Sequence, residues 1–272
     1  MSNLAREFGF MLRSKSALLA LALLAICASA AVALGLASVA RDRATIDRML
    51  AGQVAEERAL AAFVEDAGSG AYYGFQPTWD APSDLAFAAL GSRDIAPALL
   101  RVRALALEAQ IYENEAANPE LSLPGRFDLA FVVIYLAPLV LIALLHDLWS
   151  GEREAGRYHA LAALPGANRR LWSARVLVRL GGVLAALLLP FAVGALIAGT
   201  APLRALGFAG LIVLVALLWT VIILLVARRG ARSAVHAASL AAIWFALTLV
   251  APAGANPVSY THLRAHETPE HL

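Results

Sequence analysis

The sequence predicts an all-α polytopic membrane protein, with five membrane-crossing helices and a helical domain held outside the bilayer between the first two. Three observations predict it. Of 272 residues, 60% are hydrophobic and 15% charged, with mean hydropathy +0.69, which is too apolar for a water-soluble domain of this size. Five stretches come close to the length of about 20 apolar residues that a helix needs to cross a hydrocarbon core about 30 Å thick. The basic residues, finally, gather in alternate connecting segments, as the positive-inside rule requires of cytoplasmic loops.

Taken in order, residues 1–15 form a cytoplasmic segment. Within it Ala5–Met11 reads as a short interfacial helix, with Phe8 and Phe10 flanked by Arg6 and Arg13. Span one, 16–40, carries no charge. Its apolar run is much longer than the roughly 7 to 15 residues of a signal peptide, so it reads as a retained anchor although Ala28-Ser29-Ala30 imitates a cleavage site. The external domain, 41–127, opens with an amphipathic helix over Arg41–Ala67 that continues span one. Ile46, Met49, Leu50, Gln53, Val54, Leu60, Phe63 and Val64 form its packing stripe. Gly68–Pro82 (GSGAYYGFQPTWDAP) reads as loop from its Gly and Pro content, and Ala98–Ala117 as a return to helix, stopped by Asn118-Pro119. Tyr72, Tyr73, Phe75 and Trp79 suit an outer membrane interface or a local core better than a ligand site.

Span two, 128–145, lies between Asp128 and His146 and is followed by a cytoplasmic loop over 146–179. Spans three (180–203) and four (205–227) flank Arg204, a turn covers 228–233, and span five (234–250) holds one ionisable group, His236. Pro138 and Pro190 are candidate kinks, tolerated where neighbouring helices satisfy the freed backbone groups. Arg6, Arg13 and Lys15, the loop's Arg153, Arg157, Arg169, Arg170, Arg175 and Arg179, and the turn's Arg228, Arg229 and Arg232 all belong on the cytoplasmic side. Five crossings satisfy this with the N-terminus inside. The 8 Arg and 13 acids of the external segment are compatible, because long loops translocate largely regardless of charge.

Several function classes fall away. A net charge of +2 spread over the chain gives no electrostatic case for nucleic acid. Cys27 is the single cysteine, so no intramolecular disulfide can form and Cys-pair metal or redox motifs are unavailable. Lys15 is the only lysine, and a Walker A loop, which holds phosphate with a lysine, is therefore absent. Neither G-x-S-x-G nor H-E-x-x-H occurs, and no Asp/Glu/His cluster lies in the spans. The adjacent pair His146-Asp147 reads as a solvated helix end. The expectation is a chain without catalysis, cofactor or metal of its own.

The loop carries more information. Within HDLWSGEREAGRYHALAALPGANRRLWSAR, Gly151–Leu164 has helical character, with Tyr158, Leu161 and Leu164 on one face and Pro165-Gly166 ending it. Glu152, Arg153 and Glu154 at its start suit either a solvated face or a rigid element for a cytosolic motor to push. The run GEREAGRYHALAALPGANRR resembles the loop between the second and third spans of ABC-2 type transporter permeases. The layout is similar to a branch of that family with a large external segment after span one, here carrying QPTWDAPSDLAFAALGSRD and EAANPELSLPGRFD. The resemblance covers Met1–Asn256. It implies a six-span permease half of an ATP-driven exporter in a bacterial inner (cytoplasmic) membrane, surrounded by lipid. That half would pair with a second permease subunit, identical or not, and with a separately encoded cytosolic ATPase docked on the loop. Glu152, Glu154 and Gly156 are the positions carried over; with Arg153, Tyr158, Leu161, Leu164 and Pro165 they form the candidate ATPase-coupling surface. The departure is that five spans are present, which fits truncation. The other class of reading is a membrane-anchored sensor or assembly factor whose external domain binds a ligand or partner. No polar constellation in the spans identifies a substrate.

Residues 257–272 are expected to be foreign. Pro257–Thr268, PVSYTHLRAHET, back-translates without mismatch to the end sequence of a transposase-based sequencing adaptor. Long-read resequencing of the locus should replace everything after about Asn256 with a further apolar span, and a native gene encoding THLRAHETPEHL before its stop codon would refute this.

Overall fold

The computed structural model describes residues 3–91, 99–103, 127–163 and 167–254. It is mostly helical, and five of its helices are long and apolar enough to cross a membrane. Helix α1 (Asn3–Arg13) leads into α2 (Lys15–Phe63), α3 (Ala67–Tyr73) and a small sheet of β1 (Phe75–Trp79) and β2 (Leu99–Arg103). Then come α4 (Ala137–Leu145), α5 (Ser150–Glu154), α6 (Tyr158–Ala162), α7 (Ala167–Ala198), α8 (Pro202–Ala227) and α9 (Ser233–Phe245). The chain divides into two compact units. One comprises 1–28, 132–190 and 206–272, and the other 29–131 and 191–205.

The side chains at the surface identify the solvent. Leu196 is 82% exposed and Leu203 83%, and Leu189, Leu206, Leu214 and Val221 also stand outward from the long helices. Such continuous apolar surface is tolerated in lipid and not in water. On α1 the same inversion holds, with Phe8 and Phe10 exposed and Glu7 buried.

The first unit packs around Leu24, Leu141, Leu145, Leu148, Leu187, Ile223 and Leu240, all nearly inaccessible. Pro138 leaves its mark without breaking the helix. It lacks the N–H that would close an ordinary turn, and the preceding residues Val132–Leu136 form a π turn before α4 resumes. A second π turn, Ala246–Val250, follows α9. Trp244, at the end of α9, donates its indole N–H to the carbonyl of Tyr135 in the first π turn, 3.1 Å away. Pro190 by contrast sits inside α7 with the helix continuous through it.

The third apolar run does not extend to 203 as one helix. Helix α7 stops at Ala198, Gly199 takes the left-handed φ of +67°, and Thr200 N–H reaches back 2.9 Å to Ala195 O. This is the Schellman arrangement that glycine permits. Pro202, which has no N–H to leave unpaired, then begins α8.

In the second unit, α2 continues past its apolar part as expected. Its 49 residues would span roughly 70 Å, more than twice a hydrocarbon core. The helix ends at Phe63, with Ile46 of the anticipated stripe buried, Met49, Leu50 and Gln53 half-buried and Val54 exposed. The loop expected over 68–82 and the start of the helix expected over 98–117 need correction, because 75–79 and 99–103 are strands in a region anticipated as loop and helix. Asp66 caps α3 by accepting from Ser69 N–H and Oγ, at 2.9 and 2.7 Å, and these bonds hold its carboxyl below its ordinary range. Phe75–Trp79 and Leu99–Arg103 then pair antiparallel, Pro77 opposite Arg101. Pro77 explains why the first segment is extended, because it fixes its own φ and disfavours the helical region for Gln76. Residues 99–103 become a strand because that edge is available, which is a non-local effect. The rest of the anticipated 98–117 helix lies outside the described residues. Tyr72, Tyr73 and Trp79 are exposed, and Tyr73 meets Tyr72 and Phe63 edge-on.

The core of this unit is a segment that sequence periodicity did not single out. Residues 83–90 bury Ala86, Phe87, Ala88 and Leu90. Ala88 O accepts from Ala130 N–H at 3.0 Å, and Leu90 N–H donates to Asp128 Oδ2 at 2.9 Å. Phe87, 1% exposed, stacks on Phe191. Two glycines make room for it. A Cβ at Gly35 would overlap the Phe87 carbonyl, whereas one at Gly194 would lie 2.6 Å from the Phe87 ring and from a Val32 methyl. Backbone cannot step aside as a side chain can, and overpacking costs about 1–3 kcal/mol, occasionally more. Gly35→Ala should therefore lower the thermal unfolding midpoint in detergent more than Gly194→Ala. Equal midpoints would show that the backbone contact does not limit the packing here.

Candidate functional site

The segment following α4 turns an apolar helix into a polar structure within a few residues. Helix α5 begins at Ser150 and ends in a second Schellman turn, with Arg157 N–H reaching Glu152 O at 2.9 Å. Gly156 occupies the left-handed position at φ +71°. Nothing lies within 4 Å of a Cβ built there, so within this chain the requirement for glycine is conformational and not steric. The anticipated helix over 151–164 is thus two short ones, α5 and α6, set apart by this turn. Tyr158 and Leu161 are both half-buried, as residues sharing a face should be. Leu164 and Pro165 lie outside the described residues.

The carboxylates of α5 are engaged inside the chain. Glu152 Oε1 accepts from Arg175 Nη1 of α7 at 2.8 Å, and Oε2 accepts from Arg157 Nε at 2.8 Å. Arg175 also donates through Nε to Glu7 of α1, 3.2 Å away. Glu154 Oε1 accepts from the backbone N–H of Ser233 at 2.7 Å, which places a negative charge on the first turn of α9. Ser150 and Ser233 share a hydroxyl hydrogen bond of 2.9 Å. Residues of α5 therefore bind the starts of α7 and α9, and through Arg175 the buried Glu7 of α1.

Aromatic rings fill the space beside this network. Trp172 is buried, and the rings of Trp149 and Tyr158 lie 5.9 and 6.4 Å from it, centroid to centroid. Arg175 lies over Trp172 at 5.0 Å and Arg153 over Tyr158 at 4.8 Å. A guanidinium on an aromatic face is held in orientation as well as attracted. The outward surface of the segment comprises Arg153, Glu154, Ala155, Gly156, Arg157, His159 and Ala160.

The pairs differ in strength. Arg157 is 65% exposed, so water screens its bond to Glu152. The Arg175 pairs are shielded, with side-chain exposures of 15% for Arg175, 13% for Glu152 and 7% for Glu7. Glu152 lies beyond the apolar part of its span, which ends at Leu145. Burial alone would raise its carboxyl, but hydrogen bonds and charge from Arg157 and Arg175 outweigh this and hold it below the ordinary 4.5.

Of the residues singled out from sequence, Glu152, Arg153, Glu154, Gly156 and Tyr158 come together here and Leu161 lies beside them. Glu7, Trp149, Ser150, Trp172 and Ser233 were missed as site residues, and Arg175 entered only as a topology signal. The nearest sequence hint was the presence of two tryptophans in one short polar segment. His146 Nδ1 lies 3.0 Å from Ile142 O of its own helix. Among the described residues, no three His, Cys, Asp or Glu gather as metal ligands would. No family model matches the chain, and neither a curated protein nor a solved structure is similar enough to match it.

Because the carboxyl of Glu152 is lowered in the fold, its contribution to stability is complete above the unfolded value and is lost as pH falls through the folded one, below 4.5. Hydrogen bonds to charged groups are worth about 1.5–3 kcal/mol. A double-mutant cycle of Glu152→Gln and Arg175→Gln, read by denaturant unfolding at neutral pH, should give a coupling near that range, and the coupling should decline as the pH is taken below 4.5 and through the folded value. Strict additivity at neutral pH would reduce the pair to a surface contact.

Proposed function

We propose that the chain is a membrane-embedded permease subunit of an ATP-driven exporter of the ABC-2 type. It moves an as yet unidentified substrate by rearranging its helices, while a separate cytosolic chain hydrolyses ATP. The observation that carries this reading is the anchoring of α5. A loop that only solvates a helix end needs no such fixing. This one is tied through Glu152 and Arg175 to α7 and α1, and through Glu154 and Ser150 to α9. A partner that moves α5 would therefore move the ends of three other helices, which is what a motor contact must do.

In this reading the shielded carboxylate of Glu152 acts within the permease, while Glu154 holds Ser233 and stays exposed on the docking face. The docking surface is the outward face of the segment, Arg153, Glu154, Gly156, Arg157 and His159. The exposed apolar faces of the long helices meet lipid and a second permease subunit. The loop, the N-terminus and the 228–233 turn face the cytoplasm of a bacterial cell, and 41–127 the outside.

The test uses the full-length protein expressed with the ATPase encoded beside it. Glu152→Ala combined with Glu154→Ala should insert normally but weaken ATPase co-purification by roughly an order of magnitude, because the loss of the bonds that hold α5 in place lowers the fraction of chains whose docking face is formed. Gly156→Leu should act similarly by straining the turn, since a left-handed non-glycine residue costs about 1–2 kcal/mol. With Cys27 replaced, a cysteine at exposed Ala62 should react with a membrane-impermeant thiol reagent in intact cells, and one at exposed Ala160 should not. Normal ATPase association and turnover in both loop variants, or the reverse labelling pattern, would remove the coupling role and leave a sensor or assembly factor as the better reading.

A further inference from the structure

The helix that supplies Glu7 is two-sided. Leu4, Phe8 and Leu12, each about 40° round α1 from the last, are all exposed. Arg6 and Arg13 lie about 160° and 140° round from Phe8, and both are exposed, as is Lys15 at the start of α2. Among the described residues none of these three cations makes an ion pair. The one acid of the helix, Glu7, is turned inward to Arg175. Phe10, exposed near Arg6, breaks the pattern.

An apolar stripe opposite a cationic one, with no outward acid, fits a bilayer surface, where the apolar side chains enter the acyl boundary and the cations meet phosphates. Ser14 alone separates α1 from α2, and the charge-free run of α2 begins at Ser16, so α1 stands where a span enters the bilayer. Leu18 and Leu19 on the first turn of α2 are exposed as well, which favours lipid over protein as the cover of the stripe. Charge selects the lipid. A zwitterionic surface has no net field, whereas an anionic one strengthens the binding of each nearby Lys or Arg roughly fivefold.

Arg175 gives this contact a consequence. It holds Glu7 on Nε and Glu152 of α5 on Nη1, at 3.2 and 2.8 Å. With both carboxylates in place the guanidinium fork cannot turn, and the fork fixes Glu152. We propose that α1 couples α5 to the charge of the membrane surface. Seated on anionic phospholipid, α1 keeps Glu7 on Arg175 and so fixes α5 and its Gly156 turn; on an uncharged surface it releases them. Anionic lipid shifts this equilibrium to the extent that α1 binds it better in the docked arrangement. Any consequence for ATPase docking rests on the transport reading, but the lipid contact and its effect on α5 need no partner and are measured on this chain alone.

The test is amide hydrogen exchange of the full chain in nanodiscs, either of dioleoyl-phosphatidylcholine or of an equimolar mixture with dioleoyl-phosphatidylglycerol. Amides of 151–157 should exchange roughly tenfold more slowly in the mixture, within the roughly hundredfold that three such cations allow. Arg6→Gln, Arg13→Gln and Lys15→Gln combined should leave exchange in phosphatidylcholine unchanged and remove most of the slowing. Glu7→Leu, which fills the same space without an acceptor, should separate the two steps: the amides of α1 still slow in the mixture and those of 151–157 do not. The triple variant alters exposed residues only, so it decides the matter if Glu7→Leu fails to fold. Equal exchange of 151–157 in the two lipids, full slowing in the triple variant, or slowing of 151–157 that survives Glu7→Leu would overturn the proposal. So would equal slowing by soluble glycerophosphoglycerol in phosphatidylcholine discs, which would assign the cations to a free phosphate ester.

Discussion

Arg175 joins parts of the chain that nothing in the local sequence relates. Its guanidinium fork takes Glu7, 168 positions away, on one nitrogen and Glu152, 23 positions away, on another, while its flat face rests on Trp172. A lysine could not do this, because an ammonium has neither the planar fork nor the stacking face. Shielded from water on most sides, the cation gives two carboxylates a partner where leaving them unpaired would be costly. Once these are fixed, α1 is held beside α7, and α5 is given a floor on which its turn and its aromatic neighbours can pack.

The same constraint, that polar groups must find partners wherever water is scarce, shapes the other unit. There the chain brings in a non-helical segment around Phe87, and its backbone is satisfied by Asp128 and by Ala130 N–H. Asp84 of that segment pairs with Arg204 at 2.8 Å and accepts from Ala201 N–H at 2.9 Å, while its carbonyl accepts from Thr200 Oγ1 at 2.7 Å. Irregular backbone can be buried when each exposed amide is answered in this way. Glycines at 35 and 194 then allow a large aromatic side chain to fit against helices that are themselves almost all small or aliphatic residues.

Apolar length made the five long helices legible, because hydropathy reports a property that each segment has by itself. The turn at Gly199–Pro202 was equally readable in principle. An uninterrupted apolar run hid it, and the pair of glycine and following proline is the stronger signal of where a helix stops. The two strands could not be read so directly, since residues 99–103 depend on an edge supplied by residues 75–79. Within the candidate site, sequence reasoning found the charged residues of α5 and the importance of Gly156. It carried the glycine over from a resemblance, without the left-handed turn that the backbone shows to be its reason. It also could not see that Glu152 and Glu154 were already engaged, because their partners on α1, α7 and α9 lie far along the chain.

The π turn before Pro138 changes how the second span can be read as a face. Each residue advances an α-helix by about 100°, and a π turn accommodates one residue more than an α turn does. Side chains on either side of Val132–Leu136 therefore belong to two stripes that are out of phase, and no single helical wheel describes the span. Ala130 and Phe131 answer to one set of neighbours, Leu141 and Leu145 to another, and neither set has to compromise for the other. The fault also localises change. A one-residue deletion there would restore regular winding and turn one half of the span relative to the other, so this short stretch acts as the gearing of the helix.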